Sequence, residues 1–169
     1  MNKKQRWPAC FLIIWLAGCS TVAATGTDSE TAGQLDFLAG DWILYDTDGQ
    51  RVGVSRIVAQ VPGTMLYEVR TLDGKQPQSL WLENAERNGG WTQLFVGPAG
   101  QTRQFPLQSA PGEWPLVMGA DVVLRSGQSV AFRMTISKES DDTSRRVLEM
   151  TANQGESWRT IFDYNYRRQ

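Results

Sequence analysis

The chain has 169 residues, 41% hydrophobic and 21% charged, enough for one domain with a real core and too apolar for a chain disordered throughout. It contains no histidine, which removes the commonest general base, the commonest metal ligand and a histidine-ligated haem. Its formal charge is −1, and both cysteines fall in the first twenty residues, so no zinc site or disulfide framework is available to the remainder.

Lys3, Lys4 and Arg6 open the chain, a mostly apolar run follows from Trp7 to Leu16, and Leu16-Ala17-Gly18-Cys19 comes next. A positive start before a short apolar run is the plan of an export signal, and the run is too short for a comfortable membrane span. Its ending resembles the lipobox of bacterial lipoproteins. That resemblance implies a signal peptide over 1–18, cleavage before Cys19 and acylation of the Cys19 thiol by palmitate-class chains. It also implies that Ser20 directs the lipoprotein to the outer membrane, facing the periplasm. Several acyl chains on one residue anchor firmly where a single chain is marginal. Loss of residues 1–18 takes Lys+Arg from 17 to 14 against 18 Asp+Glu, a mature charge of −4. An acidic domain has no electrostatic footprint for nucleic acid, and no polybasic patch is offered to anionic lipid. Residues 19–34 are small and polar after the cysteine, the composition of a flexible tether. Residues 31–39 have the makings of a short helix with Leu35 and Leu38 on one side.

From there the chain reads as strands. They are predicted over 41–47, 50–60, 64–72, 79–83, 91–96, 101–107, 115–124 (one or two), 128–137, 145–152 and 157–167. Asp48-Gly49, Pro62-Gly63, Asp73-Gly74, Gly97-Pro98, Pro111-Gly112 and Ser126-Gly127 separate them as turn signals. Residues 64–72 alternate around Met65, Tyr67 and Val69. Residues 128–137 alternate strictly through Val130, Phe132, Met134 and Ile136. The last strand sets Trp158, Thr160, Phe162, Tyr164 and Tyr166 on one face. Nine or ten strands joined by hairpins make an antiparallel meander, and closure into a barrel over residues 35–169 would hide its edges. A two-sheet sandwich is the alternative.

The opening Leu35-Asp36-Phe37-Leu38-Ala39-Gly40-Asp41-Trp42, the Trp91 segment and the closing "ESWRTIFDYNYRR" together resemble a family of bacterial domains of unknown function with calycin-like (lipocalin-like) barrels. Phe37, Gly40 and Trp42 match its opening, with Leu35 departing from a Phe. Gly155, Trp158, Phe162, Asp163, Tyr166 and Arg168 match its close. The resemblance implies an all-β, up-and-down barrel in which the Trp of Gly-x-Trp plugs one end beneath an Arg from the last strand. Gly40, Trp42 and a terminal arginine are therefore the expected closure residues. Arg167 is expected over Trp42 because strand alternation puts it on the face opposite Tyr166 and Arg168 lies nearer the chain end, although Arg168 is the residue that matches the family's close.

Chemistry is sparse. No nucleophile with a base stands at a recognisable spacing, so no catalytic residue, cofactor or metal site is assigned and the protein is read as a non-enzyme. Asp141-Asp142 lacks the ligand series of a calcium loop. Tyr67, Trp81, Trp91, Phe95, Phe132 and Trp158 either line a cavity for an apolar ligand, with Tyr67, Trp91 and Phe132 foremost, or fill a solid core. Arg70 and Arg133 lie within strands, and a solvent face is expected for both. Two functions follow: an envelope lipoprotein holding a small apolar ligand in its barrel, or a filled scaffold whose surface docks a protein partner. A cavity of roughly 300 Å³ or more, lined by those aromatics, favours the first. An exposed apolar patch on a filled barrel favours the second.

Overall fold

Each predicted turn folds the chain back on the strand before it, so every connection is short and every ladder antiparallel. The computed structural model describes residues 33–85, 90–97, 100–110, 112–124 and 126–169. Ten strands follow a one-turn 3-10 helix at Asp36–Leu38: β1 (Gly40–Tyr45), β2 (Arg51–Val61), β3 (Met65–Leu72), β4 (Gln78–Ala85) and β5 (Gly90–Val96), then β6 (Thr102–Pro106), β7 (Leu116–Val123), β8 (Ser129–Lys138), β9 (Thr143–Thr151) and β10 (Arg159–Arg168). Predicted boundaries differ from these by one or two residues at most ends, the usual fraying of strand termini, and 115–124 holds one strand. Cys19 and the expected signal and tether up to residue 32 lie outside the described residues.

The sheet order is β6-β5-β4-β3-β2-β1-β10-β9-β8-β7. The first and last strands meet through Trp42↔Arg168 and Leu44↔Tyr166. β6 and β7 approach through a single bridge, Leu107↔Met118, helped by the Gln108 and Ser109 amides donating to the Val117 carbonyl at 2.7 and 3.2 Å. The result is a nearly closed, up-and-down, all-β barrel, as expected, and it fits the calycin-like architecture. The sandwich is excluded, since all ten strands belong to one sheet.

One end is plugged. Leu35 and Leu38, at the two ends of the 3-10 helix, are fully buried and belong to the same core as Trp42, Trp91, Leu116 and Ile136. The Trp42 indole N–H donates to the Leu38 carbonyl at 2.7 Å, which satisfies its one polar atom in a site with no exposure. The closure arginine is Arg168, a correction of the expected Arg167. Its guanidinium stacks over Trp42 at 4.4 Å. It donates to the carbonyls of Ala39 (2.9 Å), Phe37 (2.6 Å) and Asp141 (2.9 Å), and its Nε to Asp142 (2.9 Å). Strand parity decides this. Tyr166 points inward, so Arg168 shares its face, while Arg167 points out and lies over Tyr45 at 4.6 Å. Gly40 has φ +144, and a Cβ there would sit 2.3 Å from Arg168 Nη1, so glycine is what lets the guanidinium reach the plug.

Candidate functional site: a charged barrel interior beneath an open cavity

β3 reads Met-Leu-Tyr-Glu-Val-Arg-Thr-Leu; one face carries Met65, Tyr67, Val69 and Thr71 with no charge, and the other carries both charges of the strand. The face chosen for the interior is Leu66, Glu68, Arg70 and Leu72. Pairing explains the choice: Leu66 stands opposite Leu82 and Glu68 opposite Leu80, both buried in β4. It also brings the charges of β3 to partners on four other strands. A charge taken out of water is tolerated only when paired and hydrogen-bonded.

Glu68 has that in full. Ser55 of β2 donates to its Oε1 at 2.7 Å, Tyr166 of β10 to the same oxygen at 3.1 Å, and Arg146 of β9 to Oε2. Glu68 and Tyr166 are 0% exposed and Arg146 1%. Arg146 also lies over the Tyr166 ring at 4.4 Å. Burial acts to raise the Glu68 pKa, but Arg146 and Arg70, together with the hydrogen bonds from Ser55 and Arg146, outweigh it and hold the carboxyl below its ordinary value. Tyr166 is pushed up, first by burial and then by the Glu68 carboxylate.

Arg70 belongs to this network yet has no carboxylate of its own. It is 3% exposed. Its Nε and Nη2 donate to the side-chain oxygen of Gln78 at 3.2 and 2.7 Å, and Nη1 reaches the Tyr166 hydroxyl at 3.4 Å. The guanidinium rests over Phe162 at 4.9 Å and Tyr164 at 5.8 Å, two rings that stack on each other at 4.8 Å. Burial acts to lower the Arg70 pKa, but the neighbouring Tyr166 and Glu68 raise it, so the side chain stays charged.

Above Arg70 lies a cavity of about 260 Å³ at the end of the barrel opposite Trp42. Its apolar wall includes Leu72, Leu80, Phe95, Phe105, Leu148 and Phe162. Its polar lining is Arg70, Lys75, Gln78, Gln93, Arg103 and Tyr164, and among the described residues none of the lining is acidic. Gln93 is buried with neither amide atom bonded to protein. Arg103 lies over Phe132 at 4.5 Å.

Of the aromatics foreseen as ligand contacts, Phe95 lines the cavity and Phe132 stands just behind its wall, edge-on to Phe105 at 6.5 Å and under Arg103. Tyr67 does not line it. It shares the outward parity of Met65 and packs on Trp81 at 4.3 Å, because the opposite face of β3 satisfies Glu68. Trp91 is inside but forms part of the plug at the other end, away from the cavity. Trp158 is outside, stacked with Arg133 at 4.2 Å. A register shift between Thr160 and Phe162 in β10 breaks the expected common face, leaving Phe162, Tyr164 and Tyr166 inward. Arg133 faces out and pairs with Glu149 at 2.8 Å, as expected. Arg70 faces in, against expectation. The signal that could have found it is the series Leu66-x-Glu68-x-Arg70-x-Leu72, in which opposite charges two residues apart sit inside one apolar alternation.

The fold and site define an antiparallel up-and-down barrel with one plugged end, a charged middle and one open, largely apolar end. The chain matches no protein-family model, and no curated protein matches it. Among the described residues no group of three or more His, Cys, Asp or Glu is placed to hold a metal ion.

Proposed function

We propose that this protein is a lipid-anchored binding protein of the bacterial cell envelope, a member of the calycin-like barrels that its sequence resembles, and that it holds a small, largely apolar ligand at the open end. The observation that carries the binding reading is the cavity of about 260 Å³ walled by Leu72, Leu80, Phe95, Phe105, Leu148 and Phe162. It falls just under the usual range of about 300 to 1,000 Å³ for drug-sized ligands, so the ligand is small. Native mass spectrometry of the full chain purified from its own envelope tests this. A small molecule should travel with the wild type and be lost from Leu148→Trp, which fills the cavity. Equal ligand content in the two would refute the reading.

The anchor is read from the Leu16-Ala17-Gly18-Cys19 box behind Lys3, Lys4 and Arg6. Metabolic labelling with a palmitate analogue should mark the wild type and spare Cys19→Ala. Equal labelling would remove both the anchor and the outer-membrane placement.

A second reading, a scaffold that docks a protein partner, is favoured by the filled half of the barrel and by the outward pair Tyr67–Trp81 with Leu94 36% and Val58 39% exposed beside it. Under that reading Trp81→Ser abolishes partner recovery and Leu148→Trp does not.

A further inference from the structure

We propose that the ligand of the open cavity is a small carboxylic acid, its carboxylate held by Arg70 and Arg103 and its apolar body by the surrounding rings and aliphatic chains. This deepens the binding reading above and depends on it.

Three observations converge. The first is charge. Arg70, Arg103 and Lys75 all line the cavity, and no acidic residue does among the described residues. The nearest buried carboxylate, Glu68, is already engaged by Arg146, Ser55 and Tyr166. The interior network therefore holds two cations, Arg70 and Arg146, for one anion. Buried charges are ordinarily matched, so the excess at Arg70 points to a partner that is not part of the chain. The second is geometry. A guanidinium has five donors in a planar fork, and Arg70 uses its set on one amide oxygen and one long contact to a phenol. Donors remain on both terminal nitrogens, and a carboxylate matches that fork. The Phe162 and Tyr164 rings lie 4.9 and 5.8 Å from the guanidinium carbon, contacts that help order the fork before any ligand arrives. The third is Gln93, buried on the same wall with both amide atoms unpaired by protein. A buried amide without partners is costly, and its N–H groups are donors suited to a carboxylate oxygen.

The cavity also limits the body of the acid. At roughly 30 Å³ per water-sized group, about 260 Å³ admits on the order of ten heavy atoms, a short aliphatic or single-ring acid. Phe95, Phe105 and Phe162 offer faces to either body.

The test uses the full chain in lipid nanodiscs, with empty discs as the blank. Calorimetric titrations compare octanoate with octanamide, and 3-phenylpropanoate with its amide. Each pair differs in charge and hardly in shape, and the two pairs distinguish an aliphatic from an aromatic body. At least one acid should bind ten-fold or more tightly than its amide. That preference should collapse in Arg70→Met and shrink in Arg103→Met, while Arg56→Met, on the outer surface, keeps it. If Arg70→Met does not fold, the half-buried Arg103 carries the test. Acids and amides that bind alike, or a preference that survives both cavity variants, overturn the carboxylate inference and leave the apolar-ligand reading standing. No binding by any of the four at about 10 mM overturns both.

Discussion

Of the arginines that lie on aromatic faces, Arg168 toward one end of the barrel and Arg70 toward the other are used differently. Arg168 at the plugged end stacks on Trp42 and directs its donors to three backbone carbonyls and the Asp142 carboxylate. Arg70, toward the open end, stacks on Phe162 and meets only an amide and a hydroxyl. The first arginine ties the 3-10 helix, β10 and the β8–β9 turn together, and its chemistry is complete within the chain. The second is held in place by its neighbours while donors remain. Arg168 directs four of its five donors into its own fold and acts as a structural tie. Arg70 keeps donors at the edge of the cavity, and under the proposed reading a ligand meets them there.

Substitutions at the plugged end should give the largest losses of stability. Trp42→Ala removes a fully buried indole and should cost roughly 3 to 5 kcal/mol, seen as a lowered denaturant midpoint at unchanged slope. An unchanged midpoint would remove the plug from the account.

Glu68→Gln comes next. It leaves Arg146 and Arg70 buried without a counter-charge and should cost about 3 to 5 kcal/mol. Its signature is in the pH dependence. The folded carboxyl titrates below its ordinary value of 4.5, so its contribution is full above that pH and is lost as pH falls through the lower folded value. The wild type should therefore lose stability in acid, and Glu68→Gln should lack that component. Parallel acid profiles would contradict the assignment.

Arg168→Ala should cost about 1 to 3 kcal/mol, since it exposes the indole face and leaves carbonyls of the 3-10 helix unpaired. Arg167→Ala should stay within about 0.5 kcal/mol, as ordinary surface changes do. In a double-mutant cycle with Trp42, only Arg168 should couple, by about 0.5 to 2 kcal/mol. Coupling to Arg167 instead would reverse the strand parity described above.

The smallest effect is expected at Tyr67. It lies on the outer face against Trp81, so Tyr67→Ala should leave ligand affinity within about two-fold. A larger change would mean that the outer face of β3 communicates with the cavity.

The fold was legible because its signals are local. Turn dipeptides and the alternation from Val130 to Ile136 point to nine or ten strands joined by hairpins without any knowledge of contacts, while the choice of barrel over sandwich comes from the pairing of β1 with β10. The interior was less legible because parity depends on register. On β3 the uncharged face of Met65, Tyr67 and Val69 is the natural choice for the interior, and only cross-strand pairing, with Arg146 and Tyr166 arriving from strands about 80 to 100 residues away, decides for Glu68 and Arg70. On β10 the register shift before Phe162 moves Trp158 to the outside, and no spacing in the sequence marks it. Arg168 could have been chosen over Arg167 by taking Tyr166 as inward and counting two residues on.

The central claim is that the two ends differ, one solid and one built to receive a ligand. Methyl-resolved NMR of the full chain titrated with octanoate tests it at residue level. The account predicts shifts at Leu80, Leu148 and Met134, which line the cavity, with Leu38, Leu116 and Ile136 at the plug unmoved. Shifts at the plug, or none at the cavity methyls at saturating ligand, would contradict it.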